Sequence, residues 1–208
     1  MDLPELLRSA AADRRSGATE IAVAAVDGLL EVAGDPLLLA AGAALLEAGQ
    51  PAMAPIWHAA RAARSPEPQA QLLALRHALV ADADAAVATA AAWLDQRHGP
   101  PATVSHSSLV ERVLAGRRLA APGRGAVAGV IGADAIGPAA VRNATGSAAL
   151  AAALPTLVVA TAAKLVPADV FERLGAPGFE AVPLASLAAV ALGGELLDPA
   201  EAGRRAAG

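Results

Sequence analysis

The sequence predicts an α/β protein: an N-terminal helical bundle over residues 1–98, then a reduced, Rossmann-like parallel-sheet domain over residues 99–208. Three observations carry this. Apolar residues before His98 recur at helical spacing with no β-branched alternation. Gly99-Pro100-Pro101 punctuates the chain more strongly than any other stretch. Beyond it, short apolar runs alternate with helical stretches, the grammar of parallel strands joined by crossover helices.

Taken in order, Asp13 to Val32 places Ile21, Ala24, Ala25, Leu29 and Val32 on one helical face. Gly34-Asp35-Pro36 breaks the chain, with Asp35 placed to cap a helix that opens on Pro36 and continues from Leu37 to Ala48. Gly49-Gln50-Pro51 breaks it again. Met53 to Arg64 forms a third helix, and Ser65-Pro66-Glu67-Pro68 opens a long fourth that reaches Gln96. In the second half, Ala102–Val104, Ala126–Ile131 and Thr156–Ala160 read as buried strands. Helices follow at Leu109–Leu114 and Ala148–Leu154, the latter stopped by Pro155.

Composition excludes several classes. At 208 residues, 55% hydrophobic and 17% charged, the chain is too apolar for intrinsic disorder and long enough to bury a substantial core. A net charge of -4 without a basic run argues against nucleic-acid binding. With no cysteine there is no disulfide framework, thiolate metal site or thiol nucleophile. His58, His77, His98 and His106 are scattered, so no metal site is expected, and no glycine fingerprint for a dinucleotide appears; Gly123-Arg124-Gly125 is only a loop. Asp82-Ala83-Asp84 falls on a helix and reads as a solvated face. No cofactor is expected. Asn143 to Ala163 carries no charge over about the length of a membrane span, but Pro155 interrupts it and alanine dominates it, so no membrane partner is expected. Acidic residues stand near the start where a signal peptide is basic, and the chain is expected to be cytoplasmic.

In a parallel sheet, ligands sit beyond the carboxyl ends of the strands. The polar residues at those ends are Ser105, His106, Ser107, Ser108, Asp134 and Lys164, the last being the single lysine of the chain. Ser105, Ser107 and Ser108 precede a helix, where they either cap it or help hold an anion. Asn143, Gly146 and Ser147 precede another. Asp134 either caps the next helix or faces a ligand.

Six stretches, in order, resemble the alpha/beta/delta subunits of translation initiation factor 2B and the related methylthioribose-phosphate and ribose-bisphosphate isomerases. They are Arg15-Ser16-Gly17-Ala18-Thr19-Glu20, Gln50-Pro51-Ala52-Met53-Ala54, Thr103 to Val110, Gly132-Ala133-Asp134-Ala135-Ile136, Asn143-Ala144-Thr145-Gly146-Ser147, and Phe179-Glu180-Ala181-Val182-Pro183. Lys164 matches a lysine beyond the following strand. The resemblance implies a helical domain before a Rossmann-like one, pairing through the latter, and a phosphorylated sugar or nucleotide as ligand. It places Ser16, Gly17, Gln50, Ser107, Ser108, Asn143, Gly146, Ser147 and Lys164 around that ligand.

The departures from the pattern concern catalysis. Aldose–ketose isomerisation moves a proton between adjacent carbons, and the resemblance assigns that work to a cysteine and to the aspartate at Asp134. The cysteine is Ser105 here, the histidine before it is Val104, the lysine of the fifth stretch is Ala144 and the arginine of the second is Gln50. Between Gly116 and Ala126 a strand, helix and strand of the pattern are missing, leaving Arg117-Arg118-Leu119-Ala120 as a remnant. A serine hydroxyl exchanges protons poorly near neutrality unless a base such as His106 activates it. The expected role is therefore a non-catalytic or weakly active binder of a phosphorylated sugar or nucleotide, acting as a homodimer or beside a related subunit. Catalysis by Asp134 and Ser105 as an isomerase, and a purely structural interaction role, are the alternatives.

Overall fold

The computed structural model describes residues 2–121 and 124–208; Met1, Pro122 and Gly123, and with them part of the Gly123-Arg124-Gly125 loop, lie outside the described residues. Helices α1 (Glu5–Ala12), α2 (Ala18–Glu31), α3 (Pro36–Gly49), α4 (Ala54–Ala63) and α5 (Pro68–Asp95) come first. The helix expected from Asp13 thus begins five residues later, and α1 is an addition. The chain turns between them because the Asp13 carboxylate accepts the N–H groups of Arg15 (2.7 Å) and Ser16 (3.0 Å), a local bond that competes with helix. Glu20 then reaches back to the Gly17 N–H at the start of α2. Asp35 caps α3 as expected, accepting from Leu37 (2.9 Å) and Leu38 (3.1 Å).

The second half holds β1 (Pro101–Ala102), α6 (Ser108–Leu114), β2 (Ala128–Ile131), β3 (Ala135–Ile136), β4 (Ala140–Ala144), α7 (Ser147–Ala153), β5 (Thr156–Ala160), α8 (Ala168–Arg173), β6 (Phe179–Pro183), β7 (Ala189–Leu192), β8 (Glu195–Leu197) and α9 (Pro199–Ala207). A five-stranded sheet runs in the order β1-β2-β5-β7-β8. Its first four strands are parallel, as expected, and β8 closes the far edge antiparallel. A second, three-stranded antiparallel sheet, β3-β4-β6, was not expected. Its strands are short and carry Arg142, Asn143, Glu180 and Pro183, so no apolar run marks them.

Strand residues alternate between two buried faces. Ala128, Val130, Leu157, Val159, Ala189 and Ala191 pack against α5 and α6, whereas Ile131, Val158, Ala160, Val190 and Leu192 pack on the opposite side with Leu150 of α7 and Ala202 of α9. The bundle has its own core around Leu7, Val26, Leu29, Leu46, Ile56 and Leu72. Helix α5 serves both: Leu72 and Leu79 belong to the bundle core, and Ala83, Ala86, Ala90 and Trp93 to the sheet core. At the β1 edge, Ala120 donates its N–H to Pro101, so the chain's own segment lies along the shortened sheet. No helix among the described residues is long and apolar enough to cross a membrane.

Candidate functional site

A cavity of about 560 Å³ opens at the carboxyl ends of β1 and β2. The bundle covers it with the α1–α2 turn (13–17) and the α3–α4 connection (49–53). Asn143 and Ala144 at the end of β4 and the segment leading to Phe179 form the remaining wall. The volume suits a metabolite-sized ligand, and the position is the one where parallel sheets place their sites.

Of the residues singled out in the sequence, Ser16, Gly17, Gln50, Ser105, His106, Ser107, Asp134 and Asn143 meet on this wall; Ser108, Gly146, Ser147 and Lys164 do not. Close backbone packing holds the wall together. A Cβ on Gly17 would lie 2.5 Å from the Ser108 hydroxyl oxygen and 2.8 Å from its backbone nitrogen, so the α1–α2 turn sits directly on the start of α6. A Cβ on Gly132 would lie 2.6 Å from the Ser107 Cβ. Only glycine permits either approach.

The Ser105 hydroxyl oxygen accepts the N–H groups of Gly132 and Ser107, each at 3.3 Å. His106 is exposed at the rim and makes no bond to it, so the serine has no side-chain base. Ser107 precedes α6 without its hydroxyl capping the helix. Gln50, by contrast, is committed elsewhere: its buried amide nitrogen donates to the carbonyls of Ala10 (2.8 Å) and Asp13 (2.7 Å), closing the end of α1.

The second anion cradle expected at Asn143, Gly146 and Ser147 is closed from within, which corrects that expectation. Glu180 on β6 places one carboxylate oxygen 2.8 Å from both the Gly146 and the Ala148 N–H. Asn143 donates to the Ser147 hydroxyl, which donates to the Ala144 carbonyl. An internal carboxylate thus stands where an external anion was expected. Glu180 lay within a resembling stretch, but only the β4–β6 pairing shows where it reaches.

Asp134 caps no helix, because β3 rather than a helix follows it. Its N–H donates to Arg142 and its carbonyl accepts from Ala54 at the start of α4. Its carboxyl is almost wholly enclosed, and burial raises its pKa, with the nearby Lys164 charge partly opposing. Lys164, in a single 3-10 turn (Ala162–Lys164) beyond β5, is fully buried. Burial pulls its ammonium down to about 8, against the pull of Asp134. The two groups make no direct ion pair, and Lys164 Nζ has no hydrogen-bond partner among the described residues. Burial outweighs attraction for both, so each leans toward its neutral form. Asp134 is consequently able to exchange a proton closer to neutrality than an exposed aspartate.

Arg14, Met53 and Phe179 also line the cavity. Arg14 supplies its cationic side chain; nothing in its sequence surroundings distinguished it from Arg15, which does not line the wall.

A helical bundle covering the carboxyl ends of a parallel sheet, with a hydroxyl and an enclosed carboxylate on the wall between, defines an α/β protein with a metabolite-sized site. Among solved structures, that fold is found in translation initiation factor eIF-2B of Pyrococcus horikoshii OT3, at 16% identity over 96% of this chain and 99% of that one, TM-score 0.74. It is found in eIF2B beta of Chaetomium thermophilum, at 14% identity over 97% and 89%, TM-score 0.66. It is found also in the 5-methylthioribose 1-phosphate isomerase of Pyrococcus horikoshii OT3, at 13% identity over 97% and 86%, TM-score 0.59. The chain has the fold that the six sequence stretches implied. No protein-family model matches the chain, and no curated protein matches it in sequence.

Proposed function

We propose that the cavity binds a small phosphorylated sugar or nucleotide, and that the chain is a non-catalytic or weakly active binder within an assembly of itself or of related subunits. The observation that carries this is the wall itself. Ser105 and Asp134 share one cavity, yet the serine oxygen is engaged by two backbone N–H groups and has no base, so one acid/base group is available where isomerisation needs two. Arg14 and Ser16 on the α1–α2 turn line the same cavity; one Arg14 guanidinium nitrogen donates to the Ala11 and Asp13 carbonyls, and the rest of its fork would be the cation for a phosphate. Assembly is supported by the fold's occurrence in the tetrameric eIF2B-beta2-delta2 complex from C. thermophilum, at 14% identity and TM-score 0.68.

Calorimetric titration with ribose 5-phosphate, ribose 1,5-bisphosphate, 5-methylthioribose 1-phosphate and adenosine monophosphate tests the reading. Saturable binding of at least one, without conversion to the ketose, supports it. Turnover abolished by Asp134→Asn would show an isomerase instead, and no binding by any would leave the structural role. Light scattering reads the oligomeric state.

A further inference from the structure

We propose a second ligand site, apart from the cavity, in the groove between α4 and α5, for a small hydroxycarboxylic acid with an aliphatic tail. It does not depend on what the cavity holds.

A hollow of about 530 Å³ lies between the two helices and shares no lining residue with the cavity. One wall is His58, Arg61 and Ala62 of α4, with Ser65 just past its end. The other is Gln71, Ala74, Leu75 and Ala78 of α5. Both sets recur every three to four residues, so each is a single helical face turned toward the other. The same helices turn Ala59, Ala63, Leu72 and Leu79 into the bundle core, so the groove is the outer seam of a packed pair. Ala62, Ala74 and Ala78 reach into it with no more than a methyl group, which keeps it open.

Its polar groups are held in place yet have unused capacity. His58 Nε2 lies 2.9 Å from the Leu165 carbonyl. A carbonyl only accepts, so Nε2 carries the proton and Nδ1 is left as an acceptor without a partner among the described residues. The Trp57 ring stands edge-on to the His58 ring, with 4.8 Å between centroids, and 5.5 Å from the Arg61 guanidinium. One aromatic side chain thereby steadies both groups. The Ser65 hydroxyl donates to the Ala62 carbonyl and so offers the hollow its lone pairs. Arg61 makes no ion pair among the described residues, and no carboxylate lines the hollow. Elsewhere on these helices, Arg64 is paired with Glu47, and Asp82 accepts the Ala162 N–H.

This pattern defines the ligand. A cation without a counter-ion calls for an anion, and the flat guanidinium fork matches a carboxylate. Two acceptors, His58 Nδ1 and the Ser65 oxygen, call for a donor, which a hydroxyl supplies and a plain fatty acid lacks. An ammonium donor would instead bring a like charge toward Arg61. Leu75 and the alanines offer an apolar lining to a short branched tail.

The test is NMR of the four histidine rings during titration near neutral pH with 2-hydroxy-4-methylpentanoate. Two probes of similar shape accompany it: 4-methylpentanoate, without the hydroxyl, and 4-methylpentane-1,2-diol, without the carboxylate. The hydroxy acid is expected to shift the His58 ring saturably and to bind about tenfold more tightly than 4-methylpentanoate. The diol is expected not to bind. Arg61→Gln removes the cation, and Ala74→Leu fills the groove without removing a polar group; each is expected to weaken the hydroxy acid about tenfold or more. Both positions are exposed, and thermal unfolding verifies that the variants fold. The three-probe comparison on the wild type decides the matter even if they do not. No saturable shift at His58, or binding that survives both substitutions, would overturn the site. Equal affinity of the two acids would overturn the hydroxy acid as its ligand.

Discussion

The Ser105 hydroxyl oxygen accepts the buried Gly132 N–H at 3.3 Å, fastening the ends of two neighbouring parallel strands with the side chain that stands where the resembling isomerases place a thiol. Its role is that of a clamp. Ser105→Ala leaves the Gly132 N–H without its partner and is expected to cost about 1 kcal/mol, the bond being long. Urea denaturation measures it. Ser105→Cys restores a thiol beside Asp134 and is expected still to give no isomerase turnover, because Val104, Ala144 and Gln50 continue to replace the histidine, lysine and arginine of the resembling pattern.

Glu180 is expected to contribute more. Removing it in Glu180→Ala exposes two N–H groups at the start of α7 and is expected to lower stability by about 1–2 kcal/mol. Glu180→Gln keeps an acceptor oxygen without the charge and is expected to fall between. Equal stability of all three proteins in chemical denaturation would show that the bonds carry no net weight.

The bonds of Gln50 make a different demand. Its amide donates to carbonyls that end α1, so Gln50→Glu sets a carboxylate against oxygens that cannot donate. That change is expected to destabilise by about 3 kcal/mol or more, exceeding Gln50→Ala. Thermal unfolding of the two variants gives the order.

The alkaline range isolates Lys164. The chain has no cysteine, no tyrosine and a single lysine, so few groups besides it titrate between about pH 8 and 10.5. Its folded pKa lies below the unfolded value of 10.5, hence the unfolded chain binds more protons there and stability rises with pH across that window. The rise is expected to be on the order of a few kcal/mol and to vanish in Lys164→Met. Asp134→Asn removes the charge that supports the ammonium and is expected to lower the Lys164 pKa further, read from the one lysine resonance in a labelled sample.

His58 sets the opposite limb. Burial lowers its pKa below 6.5, so the unfolded chain binds its proton first and stability falls as pH drops through that value. With Nε2 donating to the Leu165 carbonyl, His58→Ala is expected to cost about 1–3 kcal/mol at neutral pH and to flatten this acid slope. Denaturation midpoints across the acid range test both.

The parts legible in the sequence were those whose signal is local. Asp35 and Pro36 mark the start of α3, Pro155 divides α7 from β5, and Thr156–Ala160 reads as a strand because both its faces are buried. Ser105 and Asp134 were found from the strand ends they follow. Nonlocal commitments were hidden. Nothing near Gln50 points to α1, some forty residues earlier, and nothing near Glu180 points to α7. The β3-β4-β6 sheet was invisible for a related reason: Glu180 opposite Asn143 and Pro183 opposite Ala140 make sense only once paired.

The 28-residue helix α5 ties the mechanical fate of the two halves together. One end is embedded among the bundle helices and the other beneath the sheet, so neither half melts without stripping a buried flank from the other. Heating should therefore produce a single calorimetric transition, and a force applied across the chain should meet a stiff rod rather than a hinge.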